Sequence, residues 1–273
     1  MSGPDSVGNS SEKKLIKIDV SSDTECPWCF VGKRNLDKAL AVSKDQYNFE
    51  VRWHPFQLNP SAPKEGINKR EYYRKKFGSQ SESMEARMSQ VFRSDGLEYN
   101  LSGLTGNTLD SHRLMYFAAQ QGLDKQHDLM EELSLGYFTQ GKYIGDRGRR
   151  MFRVCNFPTT AGLAVLGPIL LLDNITLYNN NYSMDDTKRG LASYSGRGLC
   201  WEFLVESAKK VGIEGAAEFL QDPNNGLKEV NEELEKYSAN ISGVPYFVIN
   251  GIQKLSGAQP SEVFLRAFQV TAN

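Results

Sequence analysis

The feature that most constrains this chain is a pair of cysteines three residues apart, Cys26-Pro27-Trp28-Cys29, standing where an alternating segment gives way to a helical one. Lys14 to Val20 (KLIKIDV) largely alternates, with Leu15, Ile16, Ile18 and Val20 apolar, and predicts a strand. Ser21 to Glu25 is polar and turn-like. From Cys26 to about Ser43 apolar residues, among them Phe30, Leu36 and Leu40, recur at helical spacing. Tyr47 to Trp53 (YNFEVRW) alternates again, with Phe49, Val51 and Trp53 on one face. Strand, short loop, helix and strand make a βαβ unit, and the cysteine pair sits where its first loop enters the helix.

Pro55, Pro60 and Pro63 then interrupt the backbone, and a long helical region follows. Met84, Met88, Val91 and Phe92 fall on one helix face, as do Gln126, Leu129, Met130, Leu133 and Tyr137, and later Leu227, Val230 and Leu234. Strand signals return only near the end. Val244 to Ile249 and Ile252 to Leu255 flank Asn250-Gly251, a dipeptide that tolerates the positive φ a two-residue hairpin demands. Pro260 suits the first turn of a last helix that buries Val263, Phe264, Ala267 and Phe268. The order β-α-β, helical block, β-β-α predicts an α/β chain of thioredoxin type interrupted by a large helical insertion. Residues 14–60 and 238–273 would form the thioredoxin-like domain and 61–237 the inserted one, with 1–13 a disordered tail. Residues 148–201 have no sustained period, and joining Arg147 to Glu202 would leave a continuous helical domain. That segment is expected to be an atypical, poorly ordered insertion, of the kind a retained intron would encode, in which Cys155 and Cys200 have no catalytic role.

Two cysteines at a helix start place the first sulfur near orphan backbone N–H groups and the positive end of the helix dipole, which favours thiolate over thiol. Cys26 is therefore the expected nucleophile and Cys29, one turn further in, the resolving thiol. Pro27 costs no hydrogen bond at this position, and Trp28 offers an apolar lip. A zinc site would need two more ligands, which the isolated Cys155 and Cys200 do not supply, so no metal is expected. Four cysteines in 273 residues are too few for a disulfide framework. The N-terminus carries no secretory pattern, and the longest apolar run, Ala161 to Leu172, is broken by Gly and Pro, so a cytoplasmic protein with no membrane partner is expected. A formal charge of −1 gives no reason to expect nucleic acid.

Asp23-Thr24-Glu25-Cys26-Pro27-Trp28-Cys29-Phe30, Trp53-His54-Pro55-Phe56-Gln57-Leu58-Asn59-Pro60, Ser111-His112-Arg113-Leu114, Gly145-Asp146-Arg147 and Gly243-Val244-Pro245-Tyr246-Phe247 resemble the DsbA-like thioredoxin family, and within it the FrnE-like group of intracellular members. The resemblance runs from about Leu15 to Phe268 apart from 148–201. It implies a protein thiol–disulfide oxidoreductase whose active-site set is Cys26, Cys29 and a cis-proline at Pro245, with Pro27 and Trp28 in support. Val244, before that proline, would offer its backbone to the substrate chain. Partners would be protein or small-molecule disulfides and thiols. No cofactor is implied beyond glutathione as a candidate reductant or co-substrate. The alternative on the same architecture is a glutathione-dependent transferase or isomerase of the kappa or 2-hydroxychromene-2-carboxylate type; those carry Ser where Cys26 stands. Other chemistry-bearing residues are expected to be structural: His54 and His112 as buried, hydrogen-bonded histidines, His127 as an exposed one, and Lys69 to Lys76 as a solvated helix face. Lys33 and Arg34 could support a thiolate, and Asp23 and Glu25 would oppose it.

Overall fold

The computed structural model describes residues 13–145 and 202–272. The expected tail up to residue 12, and the segment 148–201 with Cys155 and Cys200, lie outside the described residues. Strand β1 (Lys14–Ser22) leads through a tight turn into helix α1 (Pro27–Ser43), which crosses over to β2 (Tyr47–Pro55). β1 and β2 run parallel, in register from Lys14 opposite Tyr47 to Ser22 opposite Pro55. Alternation along β1 buries Ile16, Ile18 and Val20, and leaves Leu15 49% exposed on the other face.

A helical region follows. It comprises β3 (Ile67–Asn68), α2 (Lys69–Phe77), α3 (Ser81–Ser94), β4 (Leu104–Thr105), α4 (Leu109–Gln121), α5 (Leu123–Thr139), α6 (Glu202–Lys210), α7 (Ala216–Gln221) and α8 (Leu227–Glu233), the last continued by a π-helical turn over Leu234–Ser238. The chain then returns to the sheet as β5 (Tyr246–Ile249) and β6 (Gln253–Ser256), and closes with α9 (Ser261–Thr271). The sheet order is β2-β1-β5-β6, with β5 antiparallel to both neighbours. Asn250 and Gly251 take φ of 49° and 73°. The Asn250 side chain accepts from the Lys17 N–H at 2.8 Å, tying the hairpin to the central strand.

Aromatic packing and a strand-edge clasp are among the contacts that join the helical region to this frame. The Phe30 ring of α1 stacks on Phe138 of α5 at 6.0 Å and meets Phe92 of α3 edge-on at 5.8 Å. Each such buried ring contributes about 1.5–3 kcal/mol. Gln126 of α5 closes the edge of β2: its Oε1 accepts from the Trp53 N–H and its Nε2 donates to the Trp53 carbonyl, both at 2.9 Å. At Trp53 the edge of the strand is thereby occupied by a side chain.

Two expectations need correction. Lys69 is not part of a solvated face: it is 1% exposed, because α2 begins beneath the aromatic layer of α5. His127 is half-buried, accepting from Trp53 Nε1 at 3.1 Å and binding Asp37 at 2.7 Å, since α5 lies against β2 and α1 there. The shared face of α3 forms as read: Met88 and Phe92 are buried, and Met84 is 42% exposed where the first turn of the helix overhangs a cavity.

The connection between α7 and α8 is clamped from α4. Arg113, 1% exposed, binds Asp110 at 2.6 Å and donates to the carbonyls of Asn225 at 2.7 Å and of Asp222. Removing the guanidinium strands these acceptors. Arg113→Ala should therefore cost on the order of 3 kcal/mol, read as a lower urea midpoint; an unchanged midpoint would show that the clamp is dispensable.

Candidate active site

Cys26 is the N-cap of α1, in an extended conformation with φ −89° and ψ 111°. Its backbone N–H donates to the Asp23 carbonyl at 3.1 Å, and its Sγ accepts from the Cys29 N–H at 3.3 Å, so a sulfur replaces the usual capping oxygen. Pro27 fills the first helical position, where an N–H has no partner to lose. Both cysteines are free thiols, Cys26 at 4% exposure and Cys29 at 0%. Burial, followed by hydrogen bonding and charge from Cys26, pushes the Cys29 thiol well above its ordinary range, so Cys29 is held protonated.

Val244 and Pro245 come from the far end of the chain. Their peptide bond is cis, and the Val244 carbonyl lies 3.8 Å from Cys26 Sγ. Gly32 allows this approach: a Cβ there would lie 3.0 Å from Pro245 Cγ and 3.2 Å from Phe247 Cζ. Cys26, Pro27, Trp28 and Val244 together form one side of a cavity of about 370 Å³. Its opposite side is built from α2 and α3, including Tyr72, Phe77, Met84 and Met88, with Arg87 placed 5.4 Å over the Trp28 ring.

The turn carrying the motif is held from below. Asp23, fully buried, accepts from the Leu58 N–H at 2.7 Å and from His112 Nε2 at 3.2 Å. The same His112 nitrogen reaches the Phe56 carbonyl at 3.0 Å; both contacts are acceptors, so Nε2 carries a proton. Thr24 Oγ1 and Ser111 Oγ are 2.7 Å apart, and Ser111 donates onward to the Thr108 carbonyl. His54 has the structural role expected of it. Burial opposes its protonation, but bonds to Asp19 at 2.8 Å and Glu233 at 3.2 Å raise its pKa overall. Lys33 and Arg34 are committed elsewhere: both bind Glu131, and Lys33 also binds Asp37.

By sequence Glu25 is only a charge opposing the thiolate; the structure builds it into the site. It is 8% exposed and borders the cavity beside Cys26. Thr105 donates to its Oε2 at 2.8 Å, and Tyr137 donates to Thr105 at 2.7 Å. Lys69 Nζ lies 3.4 Å from the centre of the Tyr137 ring and donates to the Tyr137 carbonyl. Burial, and then the neighbouring Asp23 charge, pushes the Glu25 carboxyl up from 4.5 to about 7. Burial brings Lys69 down from 10.5 to about 7, against the attraction of Glu25. The local signal for this pair was weak: a Lys at a helix start and a Glu in a polar turn look solvated until their long-range partners are known.

Comparison with known proteins identifies the family. A family profile described as the DSBA-like thioredoxin domain matches residues 17–156 and 201–269, and the chain belongs to that family. The match leaves 157–200 uncovered, within the segment that the sequence reading set aside. The chain is similar to a Streptomyces coelicolor structure described as a probable DsbA oxidoreductase, SCO1869. The two are 25% identical with a TM-score of 0.66, over 94% of this chain and 91% of the other. Cytosolic disulfide reductase DsbM from Pseudomonas aeruginosa is 15% identical with a TM-score of 0.49, over 93% and 97%. The uncharacterized protein YwbO of Bacillus subtilis (strain 168) is 26% identical over 136 residues, which span 48% of this chain and 60% of that relative.

The raised carboxyl has a defined consequence for stability. Between pH 4.5 and about 7 the folded chain keeps a proton on Glu25 that the unfolded chain releases. Its contribution is present below 4.5 and lost as pH rises through 7. Lys69 has the opposite slope and recovers stability from about 7 towards 10.5. Glu25→Gln should therefore gain on the parent as pH rises across the first window, by on the order of 1–3 kcal/mol. Urea unfolding at pH 5 and pH 7 measures this; a difference independent of pH would refute it.

Proposed function

We propose that this protein is a thiol–disulfide oxidoreductase that exchanges disulfides through Cys26-Pro27-Trp28-Cys29. The observation that carries the reading is the position of Cys26 Sγ: capping a helix, 3.8 Å from the carbonyl before Pro245, beside a cavity. The Cys26 thiolate attacks one sulfur of a substrate disulfide, whose S–S bond breaks, and the leaving thiolate takes a proton. Cys29 then loses its proton, most readily to that departing thiolate, and attacks Cys26. This releases the second substrate thiol and leaves the pair oxidised by two electrons. The buried, protonated Cys29 cannot compete as first nucleophile, which gives the exchange its order.

The Val244 backbone is the substrate-binding element, and Trp28 and Pro27 support the site from the motif. Membership of the DsbA-like family and similarity to the Streptomyces structure support this chemistry. Protein or small-molecule disulfides and thiols are the proposed substrates, in the cytoplasm, with no resident cofactor and glutathione as a reductant or co-substrate. Among the described residues no helix is long and apolar enough to cross a membrane. A glutathione-dependent transferase or isomerase is the alternative, and the paired sulfurs of Cys26 and Cys29 favour exchange over it.

Cys26→Ser should abolish disulfide reduction driven by dithiothreitol, by at least about a thousandfold in kcat/KM, if nucleophilic attack is lost outright. Cys29→Ser should instead accumulate a mixed disulfide at Cys26, visible by mass spectrometry as the added mass of the substrate thiol. In the reduced parent, limiting iodoacetamide should label Cys26 well before Cys29. Equal labelling, or full activity in the Cys26 variant, contradicts the assignment.

A further inference from the structure

The cavity beside Cys26 has the volume of a small molecule, about 370 Å³. Four charged groups border it, and three are engaged by a charged or aromatic side chain. Glu85 binds Arg70 at 3.0 Å, Lys76 Nζ donates to the Tyr72 hydroxyl at 3.1 Å, and Arg87 lies over the Trp28 ring. Glu25 differs. More than nine-tenths of it is buried, Thr105 occupies its Oε2, and among the described residues no donor reaches its Oε1. Lys69, the buried cation facing it, binds the Tyr137 carbonyl instead. A buried carboxylate with half its acceptor capacity unfilled carries a desolvation cost that a ligand donor can relieve.

We propose that Glu25 is a specificity-determining residue that binds the ammonium group of a small aminated disulfide while its sulfur rests on Cys26. The inference rests on the exchange reading above and names its substrate class. Three observations favour a cationic donor over a neutral one. Glu25 lies beside a second buried carboxylate, Asp23, whose charge acts on it more strongly than that of Lys76 or of Lys69. The bases at the rim, Lys76 and Arg87, are exposed, where solvent and salt screen them within about 8 Å. Glu25 acts from a less polar interior, where the same charge counts for more. Glu25 and Cys26 are neighbours in the chain, with Cα atoms about 3.8 Å apart, and both border the cavity, so a ligand with a spacer of a few atoms is the size that suits both. Trp28, Met84 and Met88 line the apolar part of the space.

Cystamine, the disulfide of 2-aminoethanethiol, has this form. Cys26 thiolate attacks one of its sulfurs, and the first 2-aminoethanethiol leaves as a thiolate and takes the Cys29 proton. Cys29 then displaces the second, so the protein dithiol is oxidised as the substrate disulfide is reduced.

The test is oxidation of the reduced protein at pH 7.5 by cystamine and by bis(2-hydroxyethyl) disulfide, which is neutral and of equal length. Each rate is divided by the rate of the same disulfide with dithiothreitol, which removes intrinsic reactivity. The parent should prefer cystamine at least tenfold in kcat/KM; Glu25→Gln should lose the preference, and Glu25→Asp should keep part of it. A merely structural role for Glu25 would lower both rates together and leave their ratio unchanged. No preference in the parent, or a preference that survives Glu25→Gln, overturns the inference while the exchange reading stands. A reduced parent inert to both disulfides overturns the exchange reading and this inference with it. The parent's own preference needs no substitution, so a variant that fails to fold still leaves a deciding result.

Discussion

The site depends on one buried carboxylate. Asp23 sits at 0% exposure in the turn between β1 and α1, and its two oxygens hold two separate pieces of chain. One accepts from Leu58, just after β2; the other accepts from His112 on α4. Its own carbonyl receives the Cys26 N–H. A carboxylate out of water is tolerated only when its lone pairs are filled. Forming the turn therefore requires the exit of β2 and the first turn of α4 to be in place. The position of Cys26 at the helix start follows from this.

A second polar layer, Glu25, Thr105, Tyr137 and Lys69, lies beside the first and comes from four different elements. Burial brings Glu25 and Lys69 both to about 7 and pushes the Tyr137 hydroxyl well above its ordinary range. Such a network is costly in stability if any member is left unpaired, and natural chains retain that cost most often at functional sites. Its place between the thiol pair and the helical region means those helices do more than cover the sheet: they supply one wall of the cavity and three of the four charged residues that border it.

The βαβ unit, the helix beginning at the cysteine pair and the Asn-Gly hairpin could all be read from local pattern, because each depends on neighbours in sequence. Strand alternation, a proline at the first helical position and two residues able to take positive φ are properties of short stretches. The buried face of α5 from Gln126 to Tyr137 was readable for the same reason, since helical period marks a face whatever that face meets. Strand ends lie two residues further out, at Ser22 and Pro55, because parallel pairing continues into polar sequence, which carries no alternation to mark it.

What the sequence by itself determined is the order of elements, the α/β class and the meeting of two sulfurs at a helix start, since these follow from periodicity and spacing. Only the tertiary structure decided which charges would be buried. Glu25, Lys69 and His127 occupy segments whose composition reads as solvated. Their environment comes instead from Thr105, Tyr137 and Asp37, 80, 68 and 90 residues away. Burial of an ionisable group is set by partners brought together by the fold, and no local period records them.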